Sequence, residues 1–378
     1  MPNLHRNTIF YQVVLLLTVL GIGIFIFQTT QANLQRLGVD SGFAFLFKRA
    51  GFEIGQSLIA YDADSTIARA FLVALLNTLV LAAAGIAGAS ILGLVIGVCR
   101  LSSNFLLSRM AMAYVELFRN IPSLLQIFFW YFFVLRILPS FHDSMHLPLG
   151  GILNNRGLFL PGPELTGHGM LICLALVAAT VCCIILLRWH RRRLYREGRD
   201  FPLLPVCVFF LAALPLAAMY LAGVVWEIPR PGRFGYEGGV VLLPEFLALV
   251  CGLSMYNATY ISEVVRSGFA SVPRGQMEAA ESLGLSRGLA LQLVIFPQAL
   301  RVMLPPLTTI YLNLFKSTSL AAAVAYPEVV SVLVGTVNNL VGQPVSIMAI
   351  TMVVYATISL CAAALLNWYG RRLALRNV

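Results

Sequence analysis

The sequence predicts an all-α integral membrane protein of about eight transmembrane helices, and three observations predict it. Of the 378 residues 59% are hydrophobic and only 11% are charged, where a soluble chain carries about 25% charged residues. The apolar residues gather in eight sustained runs, close to the roughly 20 residues that a helix needs to cross a ~30 Å hydrocarbon core. These runs lack the short apolar–polar alternation of an outer-membrane barrel strand.

The first run, Phe10–Phe27, follows His5 and Arg6. The stretch after it, Gln28-Thr-Thr-Gln-Ala32-Asn, matches a small-x-small cleavage site poorly, so a retained anchor is expected. An outer segment, Gln28–Ala70, punctuated by Gly42, Gly51 and Gly55, leads to the second run, Phe71–Val98. Gly93 and Gly97 in that run have the small-xxx-small spacing that lets membrane helices approach closely. After the third run, Ile121–Leu138, comes Pro139–Gly169, rich in turn formers such as Pro148, Gly150, Gly151, Asn154 and Asn155. The fourth and fifth runs are Met170–Leu187 and Leu203–Val225; the last three are Val240–Ile261, Leu307–Ala325 and Val345–Trp368. The seven cysteines lie in or beside these runs and form neither a disulfide framework nor a metal-ligand spacing.

Two lysines and 24 arginines give a formal charge of +10. Nucleic-acid binding is one reading of that charge; the positive-inside rule is the better one. With the N-terminus cytoplasmic and eight spans, the inner side holds seventeen cations and the outer side seven. The inner set runs from Arg6 through the Arg188–Arg199 cluster to Arg376, and the outer set includes Arg36, Lys48, Arg49, Arg69 and Arg233, with Asp40 and Asp64 nearby. Both termini are therefore expected in the cytoplasm, with the arginine cluster against anionic headgroups.

In this orientation the long polar stretch from Glu263 to about Leu300 is cytoplasmic. Connections in helix bundles run about two to eight residues, so a regular loop of this length calls for a docking role. Pro273 suits a first helical turn, and Arg274 to Leu283 are mostly good helix formers. Gly284 is placed to end the helix in the left-handed conformation. Ser286 suits the N-cap of a second helix, which Pro297 is expected to break. Ala279 and Ala280 offer a bare side for another protein, with Arg274, Glu278, Glu281 and Arg287 as rim charges.

The stretch resembles the Glu-Ala-Ala loop of the permease subunits of ATP-binding-cassette importers: Glu278-Ala279-Ala280, then Gly284, then Val294-Ile295-Phe296-Pro297. Phe118-Arg119-Asn120-Ile121-Pro122-Ser-Leu-Leu-Gln126, Tyr260-Ile-Ser-Glu263-Val-Val-Arg266-Ser-Gly268, Pro297-Gln298-Ala299-Leu300-Arg301 and Lys316-Ser317-Thr318-Ser319-Leu320 are similar to signatures of its polar amino-acid subfamily. Ser317 stands where that subfamily has Asp. The length and Asn154-Asn155-Arg156-Gly157 look like the larger permeases of general L-amino-acid uptake.

The resemblance covers Phe71–Leu138 and Val240–Asn377. It implies a type I importer core of five helices, split between residues 71–138 and 240–378, with the coupling loop at 263–300. Residues 1–70 are then an N-terminal anchor with its outer segment, and 139–239 an insertion carrying two extra spans. It also implies two cytoplasmic ATPase subunits that bind ATP and Mg, a second permease subunit, alike or different, and an extracytoplasmic amino-acid-binding protein. The ATPases would grip the loop through Pro273, Arg274, Glu278, Ala279, Ala280, Gly284, Ser286 and Pro297. This chain would be an inner-membrane transport subunit and not an enzyme, with no cofactor of its own.

Polar residues inside apolar runs are the candidates for a substrate path. Lys316 is the clearest, with a substrate carboxylate or a backbone carbonyl as its partner. The lack of an acid at 317 favours acidic or neutral over cationic cargo. Gln126, Tyr256, Asn257, Tyr260, Asn313 and Thr318 offer hydroxyl or amide groups to cargo or to neighbouring helices. Glu263 and Arg266, one turn apart, read as a structural pair first and a gate second; Glu116 and Arg119 read the same way.

Other patterns carry no chemistry. Gly284-Leu285-Ser286-Arg287-Gly288 spells a hydrolase elbow but follows a helix instead of a strand. His142 and His146 sit among turn formers and make a poor metal pair. The two lysines, Lys48 and Lys316, lie outside any phosphate-binding Gly-x4-Gly-Lys motif. A stand-alone ion-coupled amino-acid carrier is the rival class, but the internal repeats usual in such carriers are not seen.

Overall fold

The computed structural model describes residues 2–36, 42–163, 169–197, 203–232 and 236–374. Asp40, Arg199, Arg233, Arg376 and Asn377, which entered the readings above, lie outside the described residues.

In chain order, α1 (Pro2–Arg36) is followed by α2 (Ile67–Leu101), α3 (Phe105–Asn120) and α4 (Ser123–Ile137). Short strands come next: β1 (Met145–His146), β2 (Ile152–Asn154), β3 (Gly157–Leu160) and β4 (Gly162–Pro163). The helices α5 (Gly169–Glu197) and α6 (Leu203–Leu221) precede β5 (Trp226–Glu227), β6 (Arg230–Pro231), β7 (Tyr236–Glu237) and β8 (Val240–Leu242). The remainder is α7 (Pro244–Ala270), α8 (Arg274–Ser282), α9 (Arg287–Ala290), a π turn at Leu291–Ile295, α10 (Phe296–Ser317), a 3-10 segment at Thr318–Val324, a π segment at Val330–Val337, α11 (Asn338–Val341) and α12 (Pro344–Ala374).

The chain divides into two compact units, Met1–Phe132 with Glu245–Val378, and Phe133–Pro244. In the first, the helix starts are set by local chemistry. Thr66 caps α2 by accepting the Arg69 N–H at 3.3 Å, and Asn104 caps α3 by accepting the Leu107 N–H at 3.2 Å. Pro122 follows α3, and α4 leaves at an angle of 103°. Close packing of α2 on α7 depends on glycine: a Cβ on Gly93 would stand 2.6 Å from Ile261, and one on Gly97 2.7 Å from Val265. Around these contacts Ala89, Ile261, Val265, Ala299, Met303 and Leu314 form a buried core. A second core joins Phe45, Ile67, Ala70 and Ala74 to Val329, Val332, Leu333, Val337 and Ile347.

In the second unit β1, β2, β3 and β8 form an antiparallel sheet in that order, with Phe159 opposite both Ile152 and Val241. Phe141 and Phe159 pack on Tyr236, each at 5.3 Å between ring centroids.

About eight transmembrane helices were expected. Among the described residues four helical stretches are long and apolar enough to cross a membrane: Tyr11–Thr30, Ile67–Leu101, Arg287–Val324 and Pro344–Trp368. The bent pair α3–α4 makes a fifth. Leu174–His190 and Pro205–Leu221 are shorter apolar helices. The sixth run begins as strand β8, its helix starts only at Pro244, and α7 carries Glu245, Glu263 and Arg266.

Candidate functional site

The polar loop folds as a helical hairpin. Pro273 takes the N-cap position of α8 with extended backbone (φ −57°, ψ 138°), one residue earlier than expected. Gly284 has φ +79°, its N–H donates to the Glu281 carbonyl at 2.9 Å, and the Leu285 N–H donates to the Ala280 carbonyl at 3.2 Å. This is the paired 5→2 and 6→1 closure of a Schellman motif. Ser286 accepts the Leu289 N–H at 3.5 Å and caps α9.

Two expectations for the hairpin need correction. Pro297 does not break the second arm. The turn Leu291–Ile295 widens to π, and α10 then carries Pro297 in its first turn, where a missing N–H costs least. The Gln298 side chain donates to the Val294 carbonyl at 2.9 Å, giving that acceptor a partner. The helical path thus runs unbroken from Arg287 to Val324, 38 residues. Ala280 is the second correction. It is buried within the chain, whereas Glu278, Ala279, Glu281 and Leu283 are exposed. Ala279 and Leu283 therefore remain as exposed apolar residues of α8 and its C-cap. The Gln298 amide also donates to Gln276 Oε1 at 3.2 Å, joining α8 to α10 directly.

At the loop-proximal end of α7, Glu263 accepts from Arg266 (Nε, 3.2 Å), as its spacing predicts. Sequence separation hid a third member, for Arg100 Nη1 donates to the same carboxylate at 2.6 Å. The Gly93 and Gly97 contacts bring α2 near enough for this. Arg119 does not pair with Glu116. Its Nη2 donates to the Thr259 carbonyl at 3.1 Å, and its guanidinium lies 5.0 Å over the Tyr260 ring. Tyr256 and Tyr260 share a hydrogen bond at 2.9 Å.

The path candidates separate by exposure and partner. Gln126 is buried and donates to the Phe118 and Ile121 carbonyls at 2.6 and 2.9 Å. Its amide nitrogen thereby braces the α3–α4 bend. Asn257, also buried, donates to Leu253 one turn back at 2.8 Å. Thr318 is fully buried and donates to the Phe315 carbonyl at 2.7 Å. Asn313 and Lys316, by contrast, are exposed on α10. Their three-residue spacing puts them on one helix face, and exposed Thr309 lies one turn before Asn313. Tyr256 and Tyr260 are half-buried.

Glu328 was missed by sequence reasoning, since it lies outside the apolar runs. It is fully buried. Its carboxylate accepts the Val330 and Ser331 N–H groups at 2.9 and 2.7 Å and the Tyr355 hydroxyl at 2.9 Å. Asn77 donates to the Pro327 carbonyl at 3.0 Å, and Thr78 accepts the Val329 N–H at 3.1 Å. A Glu directly after Pro327 and ahead of an apolar segment was the available signal.

Sequence comparisons with known proteins agree on one family. Residues 89–375 match the family described as binding-protein-dependent transport system inner membrane component. A putative amino-acid ABC transporter permease, YhdX of Escherichia coli (strain K12), is 45% identical, covering 97% of this chain and 93% of that protein. The general L-amino acid transport system permease AapQ of Rhizobium johnstonii is 44% identical, covering 98% and 92%. BztB of Rhodobacter capsulatus, a glutamate/glutamine/aspartate/asparagine transport system permease, is 35% identical over 98% and 94%. A crystal structure of an amino acid ABC transporter with histidines aligns at a TM-score of 0.46 and 18% identity, over 81% of this chain and 94% of that one. With the family match spanning most of its length and near-full-length relatives at this identity, the chain belongs to the inner membrane components of binding-protein-dependent transport systems.

Proposed function

We propose that this chain is a permease subunit of an amino-acid importer, part of the translocation path, and moved by a separate ATPase docked on the α8–α9 hairpin. ATP and Mg are bound by two partner ATPase subunits, a second permease, alike or different, completes the path, and an extracytoplasmic binding protein delivers cargo. The subunit lies in the inner membrane with both termini cytoplasmic, as the arginine distribution favours. The observation that carries this reading is the continuous helical rod from Arg287 to Val324. The hairpin's second arm and Lys316 stand on that one rod, so a push at the hairpin moves the polar face of α10 as a rigid body.

The cargo is an L-amino acid of polar or broad range. Full-length similarity to permeases named for general L-amino acids and for glutamate, glutamine, aspartate and asparagine supports this. Lys316 and Asn313 are the residues proposed to meet it, with Tyr256 and Tyr260 as further path residues and Glu263–Arg266 as a brace at the inner end.

Reconstitution with and without the ATPase, the second permease and the binding protein tests the reading. ATP-dependent uptake that requires all of them is expected. Uptake by this chain alone, driven by an ion gradient without ATP, would refute it in favour of an ion-coupled carrier.

A further inference from the structure

Within the Phe133–Pro244 unit, two stretches without Asp, Glu, Lys or Arg, joined by Ile228 beyond the exposed Glu227, build one exposed apolar surface. Helix α6 ends at Leu221, and the apolar exposure does not end there. Tyr220 and Leu221 are 86% and 83% exposed, and Val225, Trp226 and Ile228 carry the exposure on past β5. Beside them lies the turn between β1 and β2. A Cβ placed on Gly150 of that turn would stand 3.2 Å from the Ile228 side chain. Leu149 at its tip is 94% exposed and has φ 65°, ψ 17°. From Ser144 to Asn154 the one titratable side chain is His146, and from Ala217 to Trp226 none is charged.

Neither feature suits water. A left-handed backbone is strained for a residue with a Cβ, and here it holds a leucine outward. Exposing an aliphatic side chain of that size to water forgoes the stabilisation of burying it. The surface continues directly from the apolar helix α6, with Tyr220 in its last turn and Trp226 just past its end. Tyr and Trp concentrate at such levels because the ring sits in the acyl boundary and the polar tip reaches headgroups.

We propose that the Leu149 turn, with Trp226 and Ile228, is an interfacial wedge whose occupant is the lipid leaflet at the end of α6. Leu149 enters the headgroup–acyl boundary, and Trp226 and Ile228 flank it. The wedge rests on α6 lying in the bilayer. It is independent of the cargo and of the ATPase.

The test uses the full chain in phospholipid nanodiscs, with and without its binding protein. Leu149→Cys, in a chain whose native cysteines are replaced by serine, carries a nitroxide, and collision rates with oxygen and a water-soluble nickel chelate are read by electron paramagnetic resonance. Asp143→Cys is the aqueous reference. A wedge ~5–10 Å deep raises the oxygen-to-nickel ratio at 149 about threefold over that reference. A ratio equal to the reference overturns the proposal. So does a low ratio that turns to shielding only when binding protein is added, which would assign the surface to that protein. Should the cysteine-free chain fail to fold, Trp226→Phe in the native chain replaces it. Lipids brominated high in the acyl chain should quench the emission that this substitution removes, and no such difference would overturn the wedge.

Discussion

The carboxylate of Glu328 accepts the hydroxyl of Tyr355 at 2.9 Å, and that hydroxyl lies 3.3 Å from Thr318 Oγ1. A single buried acid thereby links the start of the Val330–Val337 segment, α12 and the end of α10. The Val330 and Ser331 N–H groups it accepts are orphan donors of a helical start, which need an acceptor from outside the helix. Glu328→Ala leaves both N–H groups and the Tyr355 hydroxyl without that acceptor. At about 1–3 kcal/mol per buried unsatisfied group, the loss should approach the whole stability of the segment. Tyr355→Phe removes the hydroxyl's bonds to Glu328 and Thr318 but leaves both N–H groups their acceptor, and should cost about 2 kcal/mol. Thermal unfolding of the purified subunit in detergent should show a far lower midpoint for Glu328→Ala than for Tyr355→Phe, and similar midpoints would contradict this account.

The α8–α9 hairpin makes a second prediction. Gly284 sits at φ +79°, whereas proline fixes φ near −65° and also removes the N–H that closes on Glu281. Gly284→Pro should abolish uptake while the protein still reaches the membrane, because the apolar runs that direct insertion are unchanged. Glu278→Lys reverses a charge on the exposed side proposed for docking and should give the same result. Gly284→Ala should be milder, with a backbone cost of about 1 kcal/mol and no atom within 4 Å of the new Cβ. Uptake assayed beside immunodetected protein in alkali-washed membranes checks this. Wild-type uptake by Gly284→Pro would refute the docking role.

Helix contact through Gly93 and Gly97 leads to a third. Leucine at 97 would drive carbon atoms into Val265 and the Ser262 carbonyl, where a bare Cβ already lies 2.7 and 3.1 Å away. The new side chain cannot fit without separating α2 from α7, and overpacking of this kind costs about 1–3 kcal/mol or more. The same separation would pull Arg100 from Glu263. Gly97→Leu should therefore lower both the unfolding midpoint and the yield of folded subunit, and Gly97→Ala should do so less. An unchanged midpoint for Gly97→Leu would mean that the close contact is absent.

Local signals were legible in the sequence and long-range ones were not. The left-handed Gly284, the Ser286 cap and the Glu263–Arg266 pair each depend on neighbours within one or two turns, so spacing alone revealed them. The continuation of the helix through Pro297 was hidden because a π turn, which sequence periodicity does not mark, moves the proline into a first turn. Arg100 at Glu263, Arg119 on Tyr260 and Tyr355 at Glu328 join helices far apart in sequence, and an arginine or a tyrosine near an apolar run has many partners open to it. Gln126 was ambiguous for the same reason: a polar group in a span serves a helix bend as readily as a path. The β unit was legible only as turn formers, since strands of two to four residues carry too little alternation to count.

Lys316 shows where exposure in the single subunit has a direct consequence. A lysine within an apolar run costs about 2.5–3.5 kcal/mol on insertion scales, and this one lies exposed beside Asn313 on the rod that begins at the hairpin. If its ammonium meets the cargo, its contribution depends on cargo charge. Lys316→Ala should then reduce uptake of acidic amino acids most, about tenfold or more for a lost charge-assisted contact of ~1.5–3 kcal/mol. Neutral amino acids should lose less and basic ones least. A brace between helices would instead lower all three alike, because misplacing α10 does not distinguish one side chain from another. Initial rates for glutamate, glutamine and arginine in the reconstituted importer, scaled to the amount of assembled complex, separate the two. Equal fractional losses across the three would take Lys316 off the path.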